Sequence, residues 1–207
     1  MRQLLMLSAA LTALTLGACA QMKTAAKADA YAKAQLQTNP TIAAETGSLN
    51  HLTRVAIDAT RLYDQAADEA DDADLQAQLR TISARRKTFA QNLQQRVAEL
   101  GGDPAETGEA TGAIYRSFTA LRGLIENDSV AAADEVYRGE THIMDELDKA
   151  LKTGMTPVSR QMVQAELTRV KEQRDQIEKV KSQIEARLKN EAEREQAASQ
   201  AARPGPT

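Results

Sequence analysis

Between residues 75 and 100, Leu75, Leu79, Ile82, Arg86, Phe89, Leu93, Val97 and Leu100 recur in steps of three and four, with no proline among them. That spacing lines one stripe along a helix; on a strand the same residues would scatter over both faces. A stripe of near-heptad period is a seam, and a seam must be covered by other helices. Gly101-Gly102 is the stop signal. A second long seam runs through Val163, Leu167, Val170, Arg174, Ile177, Lys181, Ile184 and Leu188. Thr156-Pro157 opens it with a cap and a first-turn proline, and it is predicted to reach about residue 198 before Arg203-Pro204-Gly205-Pro206.

Two further helices complete the set. Leu49, Leu52, Val55, Ala59, Leu62 and Ala66 form a stripe after Ser48, a candidate N-cap. The acidic run Asp68 to Asp74 ends this helix, with Asp72 or Asp74 capping the next. Ala133, Val136, Glu140, Ile143 and Leu147 mark a helix from about Ser129 to Leu151. The links 70–74 and 152–156 are short and impose antiparallel neighbours, whereas 101–128 is long enough to run the length of the bundle. One long crossover in a four-helix bundle is ferritin-like topology. The expectation is therefore an all-α, ferritin-like four-helix bundle over residues 48–188, with a short helix around Ile114 to Leu124 on the crossover. Residues 189–207 form a helix overhang and frayed tail. Met144, Met155 and Met162 read as core filler.

The chain begins Met1-Arg2, then runs apolar or small from Leu4 to Leu16 and ends Leu16-Gly17-Ala18-Cys19. The apolar run is too short for a stable membrane span and has the form of a signal peptide over 1–18. Its end resembles the bacterial lipobox, which implies that Cys19 is lipidated and becomes the mature N-terminus. Each buried methylene adds about 0.8 kcal/mol, so several acyl chains hold firmly. Ala20 and Gln21 follow, without the Asp that retains such proteins at the inner membrane. The expected location is the periplasmic face of the outer membrane, with residues 19–47 as lipidated N-terminus and tether.

The stretches Arg86-x-x-Phe89-x-x-x-Leu93, Leu100-Gly101-Gly102-Asp103-Pro104, Gly112-Ala113-Ile114-Tyr115-Arg116 and Arg138-Gly139-Glu140 resemble a bacterial ferritin-like four-helix-bundle family, domain of unknown function 2383. The resemblance covers about residues 48–185. It implies the fold and carries no agreed activity.

Composition restricts the chemistry. One Cys and two His leave no thiolate metal site, and 3% aromatic residues leave few base-stacking platforms. Residues 49–156 hold 12 basic and 19 acidic side chains, against 10 and 8 in residues 157–207. That asymmetry suits packing of the last helix on an acidic bundle and gives no nucleic-acid footprint. A di-iron carboxylate bundle needs Glu three residues before His, yet Ser48 precedes His51 and Gly139 precedes His142 at that spacing. No metal, cofactor or catalytic residue is expected. Instead Arg86, Glu140 and Arg174 sit near the middles of three helices, with Asp58 beside the first stripe. These four are the candidate buried polar layer. The functional expectation is a non-enzymatic envelope role, with the C-terminal helix from about Gln183 to Gln196 meeting an envelope protein or a second copy. The alternative is a metal-binding or redox protein using Asp58, Glu140 and His142 in an unconventional site.

Overall fold

The computed structural model describes residues 38–109 and 129–201, together with Lys27, Ala30 and Ala34. Cys19, the signal segment, the expected crossover helix Ile114 to Leu124 and the tail beyond residue 201 lie outside the described residues. Among the described residues the chain is all-α: α1 (Pro40–Glu69), α2 (Ala73–Glu99), α3 (Ser129–Leu151) and α4 (Pro157–Ala201). No described helix is long and apolar enough to cross a membrane.

The helix ends follow local chemistry. Asn39 caps α1, its Oδ1 accepting from Thr41 N–H at 2.9 Å, and Pro40 supplies a preset first turn. The helix thus starts well before Ser48, the expected cap. Residues 40–47 belong to the bundle rather than to a tether, because Glu45 and Thr46 are buried against it. Asp72 caps α2, accepting from the N–H groups of Asp74 and Leu75. At the far end of α2, Gly101 takes φ 78°, and a Cβ on Gly102 would meet Thr46 Cγ2 at 2.4 Å. One glycine supplies the left-handed turn and the next makes room for α1.

Contacts between helix ends define the topology. The end of α3 meets the start of α1 through His51–Glu146 and Ser48–Thr153, while Arg96 near the end of α2 meets Thr156 and Ser159 at the start of α4. Arg187 of α4 reaches Asp72 and Asp74 at the start of α2. Hence α1 and α4 run one way, α2 and α3 the other. The connection 100–128 returns the full bundle length between diagonal helices, as one-crossover bundles require.

The core is a column of small and medium side chains: Leu49, Leu52, Ala56, Ala59, Leu79, Ile82, Leu93, Val136, Leu147, Val163, Val170 and Ile177, with others, are buried. Met144, Met155 and Met162 pack partly buried on its margin. Beyond Ile184 the α4 side chains are exposed, including Leu188. Residues 189–201 extend past the bundle by about 20 Å at ~1.5 Å per residue.

The first part of the crossover is fastened down side chain by side chain. Asn50 donates from Nδ2 to the Asp103 carbonyl (2.9 Å) and accepts from Ala105 N–H (2.8 Å). Gln94 donates to the Ala105 carbonyl (2.8 Å), and Asp58 accepts from Glu109 N–H (2.9 Å). Asn50 and Asp58 belong to α1 and Gln94 to α2, so the loop is tied to both helices of one hairpin.

Candidate functional site: a buried arginine layer

Arg86 and Glu140 come together in the middle of the bundle, as their stripe positions suggest. Both are fully buried, and Arg86 is among the largest fully buried side chains of the chain. Its Nη2 donates to Glu140 Oε2 and to Gln173 Oε1 (3.0 Å), and its Nη1 donates to Glu166 Oε1. Tyr63 completes the layer by donating its hydroxyl to Glu140 Oε1 at 2.8 Å. All four helices contribute: Tyr63 from α1, Arg86 from α2, Glu140 from α3, Glu166 and Gln173 from α4.

The Arg138-Gly139-Glu140 motif has a local reason. A Cβ on Gly139 would stand 3.1 Å from the Tyr63 hydroxyl. Glycine lets that hydroxyl lie close to the helix and reach the neighbouring Glu140.

Two expected members are elsewhere. Arg174 is half-buried and lies over the Tyr137 ring, 4.9 Å from its centre. The face of α4 that enters the bundle is Ser159, Val163, Glu166, Val170, Gln173, Ile177 and Ile184. Leu167, Arg174 and Lys181 sit at its edge, so the polar group that meets Arg86 is Gln173, one residue earlier. Asp58 is buried but serves the crossover backbone at Glu109. Its surroundings are tight: a Cβ on Gly108 would meet Asp58 Oδ1 at 1.8 Å.

The electrostatics follow from burial and neighbours. Burial pushes the Glu140 carboxyl up, against the opposing pull of Arg86 and Tyr63. Burial also raises the Tyr63 phenol well above its usual value, and Glu140 adds to this. For Arg86, burial alone would favour the neutral form; Glu140 and Glu166 overcome it and hold the guanidinium charged. Arg86 Nε and Gln173 Nε2 are buried without an acceptor in the protein.

A second polar cluster closes the end of the bundle. Buried Glu45 accepts from Thr156 N–H (3.0 Å) and Thr156 Oγ1 (2.8 Å) at the start of α4. This places a carboxylate where the helix dipole favours one. Arg96 donates to Thr156 Oγ1 and Ser159 Oγ.

Both histidines converge on one carboxylate. His51 Nε2 is 2.8 Å from Glu146 Oε2, His142 Nε2 is 3.9 Å from Oε1, and Lys149 Nζ is 2.7 Å from Oε1. Burial would raise the Glu146 carboxyl, but the hydrogen bonds from Lys149 and His51 hold it below the usual range. The lysine occupies the oxygen that a metal would use. Among the described residues no three His, Cys, Asp or Glu side chains are arranged to hold a metal ion. Asp58, Glu140 and His142 do not form a shared site: Asp58 holds the crossover, Glu140 holds Arg86, and His142 faces Glu146.

The fold and this layer define a class: a one-crossover four-helix bundle whose centre is filled by an arginine and its carboxylates. Residues 44–153 match the family described as Domain of unknown function (DUF2383), and the chain belongs to that family. No curated protein matches the chain.

Proposed function

We propose that the chain is a lipid-anchored envelope protein with a non-enzymatic role, held at the periplasmic face of the outer membrane through Cys19. The observation that carries this reading is the position of the only cysteine, directly after Leu16-Gly17-Ala18 at the end of an apolar N-terminal run. The bundle supports it from the other side. The central charged groups Arg86, Glu140 and Glu166 bond one another, which suits an internal brace rather than a catalytic centre. The bundle begins at Pro40, leaving residues 20–39 to span the distance from the lipid. The exposed α4 extension, residues 189–201, is then the element offered to an envelope protein or a second copy.

The test is detergent-phase partitioning and incorporation of a palmitate analogue in cells expressing the wild-type chain or Cys19→Ala. The wild-type protein is expected in the detergent phase carrying label, and the variant in the aqueous phase without it. Unchanged membrane association of the variant would overturn the reading.

A further inference from the structure

Every hydrogen bond of the central layer crosses between two halves of the bundle. Tyr63 and Arg86 belong to the α1–α2 hairpin; Glu140, Glu166 and Gln173 belong to the α3–α4 hairpin. The charges at that seam do not balance. Two buried carboxylates share one buried guanidinium. Glu166 has a second cation, Arg169, whose Nη1 lies 3.4 Å away and whose side chain is 56% exposed at the rim. Glu140 has only Arg86; its other partner, Tyr63, is neutral. The charged or titratable groups facing Glu140 are Tyr63 from α1, Arg86 from α2 and Glu166 from α4. Glu135, on its own helix, is paired with Arg138.

Tyr63 is the partner that makes two states of Glu140 chemically acceptable. A phenolic hydroxyl both donates and accepts. It donates to Glu140 as a carboxylate, and it can accept from Glu140 as a carboxylic acid. The hydrogen bond survives in both states with its polarity reversed, so no buried oxygen of the pair is stranded when the proton comes or goes.

We propose that Glu140 is a buried proton-binding site, and that its protonation tightens the seam between the α1–α2 and α3–α4 hairpins. With the proton bound, one carboxylate and one guanidinium remain at the centre of the layer. With the proton released, Glu140 and Glu166 divide a single guanidinium in a desolvated space. Burial dominates and raises the Glu140 carboxyl, as this arrangement requires. The sign follows from linkage. The folded protein holds the proton more tightly than the unfolded chain. Glu140 therefore contributes stability fully below the ordinary carboxyl value, and this contribution is lost as pH rises through the folded value. The bundle is tighter on the acid side and looser on the alkaline side.

The test uses the full mature chain. Infrared difference spectra with isotope-labelled glutamate are recorded at a pH above the ordinary carboxyl range, where exposed carboxyls are ionised. A glutamic-acid C=O band is expected, and it is expected to vanish in Glu140→Gln. In parallel, urea unfolding is followed as pH rises from mildly acidic to mildly alkaline. The wild-type chain is expected to lose stability more steeply than Glu140→Gln, which keeps the shape of the protonated acid at every pH. If Glu140→Gln does not fold, the wild-type spectrum decides alone. Absence of the labelled acid band, its persistence in Glu140→Gln, or equal pH slopes in the two chains would overturn the proposal.

Discussion

Replacing Arg86 with methionine removes the one guanidinium that bonds Glu140, Glu166 and Gln173 at once. Methionine fills much of the arginine stem, so the volume lost is small and the electrostatic effect dominates. Glu140 and Glu166 are 0% and 2% exposed, so water cannot replace the lost charge. Breaking a buried ion pair by removing one partner costs about 3–5 kcal/mol. With a urea slope of roughly 2 kcal/mol/M, that is a fall of about 2 M in the unfolding midpoint. The control is Arg174→Met. Arg174 is half-buried and its contact is the Tyr137 ring. An exposed-to-partly-buried cation–π contact is worth about 0.5–1 kcal/mol, so this variant should move the midpoint by less than about 0.5 M. Equilibrium urea unfolding followed by circular dichroism measures both. If Arg86→Met costs under ~1 kcal/mol, or Arg174→Met costs as much as Arg86→Met, the assignment of the layer to Arg86 and Gln173 is wrong.

Three other outcomes are expected. Asn50→Ala removes both amide bonds to the crossover backbone at Asp103 and Ala105, so limited proteolysis should cut within 103–109 faster while stability falls by about 1–2 kcal/mol. Equal cleavage rates would contradict the clamp. Glu146 has the opposite pH sign to Glu140: its carboxyl is held low in the folded state, so its contribution is present above the unfolded value and is lost as pH falls through the folded one. Unfolding of Glu146→Gln should therefore be less sensitive to acid than that of the wild-type chain. Deleting residues 189–207 should leave the unfolding midpoint unchanged, because residues 189–201 are exposed, while altering oligomer size or partner capture in sizing experiments.

The bundle was legible because its seams are long and regular. On α2 the stripe Leu75, Leu79, Ile82, Arg86, Phe89, Leu93 and Val97 is the buried face, so Arg86 could be placed at the centre from spacing alone. The same holds for Glu140 on α3. On α4 the apolar pattern misleads by one residue. Glu166 and Gln173 occupy core positions, and a hydrophobic reading passes to the adjacent Leu167 and Arg174. The heptad Ser159, Val163, Glu166, Val170, Gln173, Ile177 would have located them had polar residues been allowed in the seam. On α1, Leu62 outranked Tyr63 by hydrophobicity, although the buried residue is the tyrosine, whose hydroxyl has a partner in Glu140. Asp58 is buried next to the stripe, but its partner is a loop backbone that no periodicity can reveal. Asn39-Pro40 was a readable start signal for α1, masked by the low apolar content of residues 40–47.

The central claim is that Arg86 fills the layer where bundles of this topology otherwise place carboxylate-bound metal. Metal content per chain, measured on the intact lipidated protein after loading with iron(II) or manganese(II) and desalting, tests it most directly. The account predicts far less than one ion per chain and an unfolding midpoint unchanged by loading. One or more ions per chain, lost in Glu140→Gln, would contradict it.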